Sequence, residues 1–230
     1  MEDNQFNSSR RNFLGAIASG AAIVGAATIT TPFQAVAAPA VNTNGDDAEQ
    51  WFNKIKGKHR VVFDATQPHD MMPFAWPRVF LISNAATGSP EKDCGVVVVL
   101  RHAAIPYAMQ DALWQKYNFG EVFKADDPIS KTPATKNPFW QPKPGQYKIP
   151  GFGEVQIGIN ELQSSGVMFC VCDAAMTVYS AVVAEKMGMA ADAVKKEWTE
   201  GILPGVQPVP SGVWALGRAQ EHNCTYVFAG

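Results

Sequence analysis

Cys172 is the residue with the clearest capacity for chemistry in this chain of 230 residues. It ends the apolar run 167–172, which has the length of a buried β-strand, and a stretch of helical spacing, 174–186, follows at once. The N-terminus of a helix carries a partial positive charge, which favours a thiolate over a thiol. Because the thiolate is the form of cysteine that attacks sulfur, this position predicts a sulfur nucleophile.

Four polar residues are predicted to support Cys172. Arg101 and His102 follow the second predicted strand, His69 follows the first, and Asp173 follows the cysteine itself. An imidazole can accept the thiol proton or stabilise the thiolate, and Arg101 can hold an anionic sulfur substrate. The alternative is that these side chains only hydrogen-bond the loops in which they lie.

A metal site is a sharper alternative for the same region. Its ligands would be Cys172, His69 and His102, with Asp70 or Asp173 as the fourth. No ligand-spacing motif supports this set. The sequence therefore predicts neither a metal nor a cofactor.

The other three cysteines are predicted to be structural. Cys170 lies two residues before Cys172, so it should point to the same face of the strand, one step deeper in the core. Cys94 and Cys224 both precede strands and belong to the opposite, amino-terminal edge. In the expected strand order 2-1-3-4-5 their strands lie at opposite edges of the sheet, so no disulfide between them is predicted.

Apolar runs of strand length alternate with stretches of helical spacing along the chain. The predicted strands are 59–64, 95–100, 167–172, 205–210 and 224–228, and the predicted helices are 71–86, 105–117, 156–165, 174–186, 190–200 and 212–221, the last with Ser211 as its N-cap. This alternation predicts an α/β protein of three layers, flavodoxin-like, with a five-stranded and mainly parallel sheet. Ligands gather at the carboxyl ends of such strands, where Asp64, Arg101 and Cys172 lie.

A long proline-rich insertion, 119–155, interrupts this alternation. It is far longer than an ordinary connection, which indicates a functional excursion, an oligomer contact or a mobile flap. Its aromatic segments 118–120 and 137–140 suggest an aromatic lid or an oligomer interface.

The first residues of the chain have the pattern of an export signal. Segment 9–14, SRRNFL, matches the twin-arginine signature, residues 12–29 carry no charge, and Ala35-Val36-Ala37 is a signal-peptidase site. We therefore expect a signal peptide at 1–37, a polar lead-in at 38–58, a domain at 59–230, and a periplasmic location. An N-terminal membrane anchor is the alternative, since the uncharged stretch approaches the length of a span.

The composition excludes several classes of protein. Hydrophobic residues make up 47% of the chain and charged residues 17%, which is typical of a globular domain and not of a disordered tail. There are 19 basic and 21 acidic residues, and this balance argues against a nucleic-acid partner.

Two stretches of the last third resemble the DsrE/DsrF-like family. They are GVMFCVC at 166–172 and LPGVQPVPSGVWAL at 203–216, and the last strand, TYVF, also looks like the family's usual end. The resemblance covers 60–228 in outline and is specific from 166 on. It implies a flavodoxin-like fold, a homo- or hetero-oligomer, and a persulfide carried on the cysteine in the place of Cys172.

Three features depart from the family's sulfur-relay members. Arg101-His102-Ala103-Ala104 stands where many relatives have a His-Gly pair, the insertion is large, and the export signal separates this chain from the cytoplasmic relay that modifies transfer RNA. We therefore expect a periplasmic protein that binds or transfers sulfane sulfur on Cys172, with a donor or acceptor protein as its partner. The alternative is a non-catalytic oligomeric binding module in which Cys172 is merely packed.

Overall fold

A computed structural model describes residues 45–230, so the predicted signal peptide at 1–37 lies outside the described residues. The strands are β1 (His59–Ala65), β2 (Cys94–Leu100), β3 (Lys148–Ile149), β4 (Gly153–Glu154), β5 (Met168–Cys172), β6 (Val206–Val209) and β7 (Thr225–Phe228). The α-helices are α1 (Gly45–Phe52), α2 (Met72–Ala86), α3 (Asp111–Tyr117), α4 (Phe119–Phe123), α5 (Ile159–Ser164), α6 (Asp173–Met187), α7 (Ala191–Glu200) and α8 (Gly212–Glu221). Two 3-10 helices span Glu91–Asp93 and His102–Ala108.

The central sheet has five strands in the order β6-β5-β2-β1-β7, and every neighbouring pair is parallel. This confirms the predicted three-layer, flavodoxin-like α/β fold. The predicted strand order is wrong, because the sheet strands counted along the chain run 4-3-2-1-5. The crossovers β1 to β2, β2 to β5 and β5 to β6 all step in one direction, and only the last crossover returns to the other edge, beside β1.

Alternate residues of the strands face two separate cores. Val61 and Val98 lie in the larger core, together with side chains of α2, α6 and α7. Val62 and Val97 lie in the smaller core, with side chains of α1 and α8. The sheet is therefore covered on both faces, which explains why the run CGVVVVL of β2 is buried throughout and shows no polar alternation.

The lead-in at 38–58 contains a helix that the sequence analysis did not predict. Helix α1 packs against the face that carries α8, and Phe52, fully buried, meets the ring of Trp214 edge to face at 5.7 Å. Its apolar residues Ala48, Trp51 and Phe52 recur at helical spacing and all lie in the smaller core, a signal that the interpretation of this segment as a polar lead-in overlooked.

The proline-rich insertion packs into the larger core. Phe139 is fully buried and its ring stacks on Phe74 with the centroids 4.2 Å apart. The buried side chain of Asn137 donates to the carbonyl oxygens of Tyr107 and Met109, at 2.8 and 3.0 Å. Phe119 is fully buried too, so these two side chains belong to the core and not to an exposed lid. The oligomer interface expected for segments 118–120 and 137–140 stays a prediction.

The helices of the described part, 45–230, include none with the length and apolar character needed to cross a membrane.

Candidate active site at the carboxyl ends of β2, β5 and β6

Two neighbouring strands send their following helices to opposite faces of the sheet. Strand β5 continues into α6 on the face of the larger core, and β6 continues into α8 on the other face. A backbone hydrogen bond crosses this divide: the N–H of Ala174 donates to the carbonyl oxygen of Pro210 at 3.2 Å. In parallel α/β sheets such a divide forms the crevice where ligands bind.

Cys172 lies at this divide, as the last residue of β5 and the N-cap of α6. Its extended backbone ends the strand, and its Sγ accepts a hydrogen bond from the backbone N–H of Ala175 at 3.3 Å. Sulfur is a weak acceptor as a thiol, and an N–H at a helix N-terminus stabilises it more when it is charged. The side chain is 7% exposed, so the sulfur is shielded and not fully sealed.

Arg101 follows β2 and forms a bidentate ion pair with Asp64 at the end of β1. Its Nε and Nη2 donate to Oδ1 and Oδ2 of Asp64 at 2.6 and 2.9 Å. The pKa of Arg101 is raised, chiefly by these hydrogen bonds, with smaller contributions from the charges of Asp64, Tyr226 and Cys172. The guanidinium is therefore within electrostatic reach of the Cys172 sulfur.

Asp64 is fixed from a second side by β7. The hydroxyl of Tyr226 donates to its Oδ2 at 2.8 Å, and the carboxylate is almost completely buried. Burial, and then this hydrogen bond, raise the pKa of Tyr226. Sequence reasoning placed Asp64 at the sheet edge and missed Tyr226, because the pairing of β7 with β1 decides their contact.

The N-terminus of α8 makes room for the arginine. A Cβ on Gly212 would lie 2.5 Å from Cβ and 2.7 Å from Cδ of Arg101, so only glycine permits this approach. Ser211 caps the helix, and its Oγ accepts from the backbone N–H of Trp214 at 3.2 Å, which confirms the predicted N-cap. The side chain of Arg101 is thus held between Asp64 and the first turn of α8.

Asp173, the residue after Cys172, is paired with a lysine of α7. Its Oδ1 accepts a hydrogen bond from Nζ of Lys195, and the two side chains are only 8% and 14% exposed. The sequence predicts a supporting role for Asp173 and gives no signal for Lys195. Lys195 and Lys196 are adjacent in α7 and look alike in the sequence, and only the packing of α7 on α6 singles out the first.

The predicted histidines lie apart from the sulfur. His102 is exposed, and its Nδ1 lies 3.0 Å from the hydroxyl of Tyr179, which is about 9 Å along α6 from the helix start. His69 is exposed and lies against the backbone of Gly230, beyond β1. Within residues 45–230, neither histidine hydrogen-bonds Cys172. The structure thus brings Arg101 and Asp173 close to the cysteine, and gives the histidines other neighbours.

Metal ligands are not assembled here. Over the described range 45–230, no three histidine, cysteine, aspartate or glutamate side chains form a group that could hold a metal ion. The alternative ligand set of Cys172, His69 and His102 therefore gains no support from the geometry.

All four cysteines are free and buried. Cys170 lies in the smaller core, whereas Cys172 belongs to the larger one, so the prediction that they share a face is wrong. The backbone turns from strand to helix at Cys172, which breaks the alternation of side chains. Burial raises the pKa of Cys170, and the nearby Cys172 adds to the shift. Burial also raises the pKa of Cys94 and of Cys224.

The fold and the site define a three-layer α/β protein with a shielded cysteine at a strand-to-helix junction. The chain matches no protein-family model and no curated protein. Among solved structures, it is similar to a protein of unknown function from Methanobacterium thermoautotrophicum, with 17% sequence identity and a TM-score of 0.39. That alignment covers 74% of this chain and 99% of the other.

Proposed function

We propose that the protein handles sulfane sulfur, and that Cys172 carries the sulfur atom as a persulfide. The observation that carries this proposal is the position of its Sγ, which accepts an N–H of α6 at the divide between β5 and β6. The resemblance of 166–172 to the DsrE/DsrF-like family, whose relay members carry sulfur on a cysteine in the place of Cys172, supports the proposal.

The transfer step requires no external oxidant or reductant. The thiolate of Cys172 attacks the outer sulfur of thiosulfate, an S–S bond forms on the protein, and the S–S bond of thiosulfate breaks with its electron pair leaving on sulfite. With a polysulfide donor, the leaving group is the polysulfide shortened by one sulfur. A partner thiolate then attacks the outer persulfide sulfur and regenerates the Cys172 thiolate.

Arg101 is the residue that would hold the anionic donor. The Nε and Nη2 of Arg101 donate to Asp64, whereas its Nη1 has no hydrogen-bond partner among residues 45–230. The side chain is 27% exposed, compared with 1% for Asp64, so the guanidinium and not the carboxylate faces incoming solute.

The setting of this reaction follows from the sequence. The twin-arginine pattern at 9–14 and the cleavage site ending at Ala37 support export to the periplasm by the twin-arginine pathway. In that compartment the sulfur would come from a small oxidised species or a donor protein, and would pass to a partner thiol. The family resemblance supports a homo-oligomer.

Intact mass spectrometry tests the proposal. The reduced protein is incubated with thiosulfate or polysulfide, and we expect an adduct of one sulfur atom, about 32 Da, that dithiothreitol removes. The adduct should be absent in Cys172→Ser and present in Cys94→Ser, whose cysteine is equally buried at the opposite sheet edge. Absence of the adduct in the unsubstituted protein, or its persistence in Cys172→Ser, would refute the proposal.

A second candidate, a binding module with an inert packed cysteine, is favoured by the low exposure of Cys172. Alkylation of the native protein separates the two. The proposed function expects iodoacetamide to label Cys172 before unfolding and ahead of Cys170, as located by peptide mass spectrometry. If Cys172 reacts only in denaturant, the binding-module hypothesis is correct and the sulfur-carrier hypothesis is wrong.

A further inference from the structure

The buried ion pair between Asp173 and Lys195 lies directly beside the proposed sulfur carrier. Asp173 is the first residue of α6 and Cys172 is its N-cap, so a carboxylate and a thiolate would share one helix N-terminus. Two neighbouring anions repel each other, so a negative charge on Asp173 opposes a second negative charge on the sulfur. A cation paired with Asp173 neutralises its charge and so removes this repulsion.

Helix α7 fixes the position of that cation. Val194 and Trp198 are fully buried one turn apart and hold α7 against the larger core. Lys195, next to Val194, is 14% exposed and forms an ion pair with Asp173 at the start of α6. Its neighbour Lys196 is 76% exposed and pairs only loosely with Glu200, at 3.8 Å. The two lysines are adjacent in sequence, yet only the first is buried beside the site.

Stability alone does not account for this arrangement. The desolvation of a lysine and a carboxylate is only about balanced by their attraction, and apolar residues of similar size often serve as well or better. A buried pair next to a nucleophile has a second effect, because it sets the charge that the nucleophile meets.

We propose that Lys195 is a positioning residue that allows the Cys172 thiolate to form by neutralising Asp173. This inference rests on the proposed function, since it assigns the lysine a role in the reactivity of the same cysteine. The other charged or titratable groups at this edge of the sheet are Arg101, which follows β2, Asp64 on β1, Tyr226 on β7 and Cys170 on β5. Among the described residues none of them forms a hydrogen bond or ion pair with the Asp173 side chain, which leaves Lys195 as its partner there.

The test is the pH profile of Cys172 alkylation by iodoacetamide, read at that residue by peptide mass spectrometry. In Lys195→Met we expect the profile to move to higher pH and the rate near neutral pH to fall about tenfold, the change that one pH unit of displacement produces. In the control Lys196→Met the profile should stay at its original position, because that side chain lies in solvent.

A double variant separates charge from folding. In Asp173→Asn combined with Lys195→Met both charges are absent, so the protein should fold and the alkylation rate should return to that of the unsubstituted protein. Lys195→Arg should also keep the original profile. The inference is overturned if Lys195→Met and Lys196→Met react alike, or if the double variant stays as slow as Lys195→Met.

The two proposals fail differently. If Cys172 gains a sulfur atom but the pH profile of its alkylation is unchanged in Lys195→Met, the role of the lysine is wrong and the proposed function stands. If the profile depends on Lys195 but no sulfur adduct forms, the charge relationship stands and sulfur carriage is wrong.

Discussion

Asp64 and Arg101 are joined by two parallel hydrogen bonds, of 2.6 and 2.9 Å, across the carboxyl ends of β1 and β2. The register of the two strands creates the pair, because Ala65 lies opposite Leu100 and the N–H of Arg101 continues the ladder to the Ala65 carbonyl. The acid is buried and the base is partly exposed. The pair therefore presents a fixed guanidinium at the sheet edge where Cys172 lies.

Asp64→Asn should destabilise the protein by about 2 kcal/mol, because it leaves a half-buried guanidinium without its charge partner. The measurement is urea unfolding at neutral pH. Asp70→Asn is the matched control: Asp70 pairs with Lys131 at 2.9 Å on the surface, and such a pair contributes less than about 1 kcal/mol. Equal losses in the two variants would show that the Asp64 pair does not stabilise the sheet edge.

Gly212→Ala should disturb the site, because the new methyl group would overlap with Arg101. We expect a loss of about 1–3 kcal/mol and a reduced yield of sulfur adduct. Gly217→Ala lies on the same helix with open space around its Cβ, and should stabilise the protein by about 0.5–1 kcal/mol. Thermal unfolding and intact mass measure the two effects. The close approach of Arg101 to α8 is disproved if Gly212→Ala is as well tolerated as Gly217→Ala.

Asn137→Leu should cost about 3 kcal/mol or more, because it leaves the carbonyls of Tyr107 and Met109 and the N–H of Phe139 without partners in the core. The control Asn160→Leu loses a single bond to the N–H of Gln141 near the surface and should cost about 1 kcal/mol. Urea unfolding gives both values. A small effect at Asn137 would mean that the insertion is only loosely attached to the domain.

The stability should fall at alkaline pH. Burial raises the pKa of Cys224 to about 11 in the folded protein, whereas an unfolded thiol titrates near 8.5. The unfolded state therefore releases its proton first, and the stabilisation present below about pH 8.5 is lost as the pH rises towards about 11.

Urea midpoints measured across this range test the effect. Cys224→Ala should show a shallower decline, and the remaining slope comes from the other groups whose pKa values burial raises, among them Cys94, Cys170, Tyr107 and Tyr147. An unchanged slope in Cys224→Ala would contradict the assignment.

The sequence by itself determined the local elements and the position of Cys172 at the end of a strand. Uninterrupted β-branched runs such as that of β2, the serine cap of α8 and the strand-to-helix junction at Cys172 depend on contacts within a few residues. The helix predicted at 105–117 shows the limit of this reasoning. It is a 3-10 helix ending at Ala108 followed by α3 from Asp111, because Met109 and Gln110 between them are extended and Met109 forms a β-bridge with Ile202.

Only the tertiary structure decided which distant residues meet. The order of the strands depends on the direction of each crossover. The alternation of side chains along a strand is the same in every strand order, so the sequence pattern does not reveal that order. The contacts of Asp64 with Tyr226, and of Asp173 with Lys195, follow from the placement of β7 and α7. A lysine that is buried and one that is solvated have the same side chain, and packing alone assigns Lys195 to the site and Lys196 to the solvent.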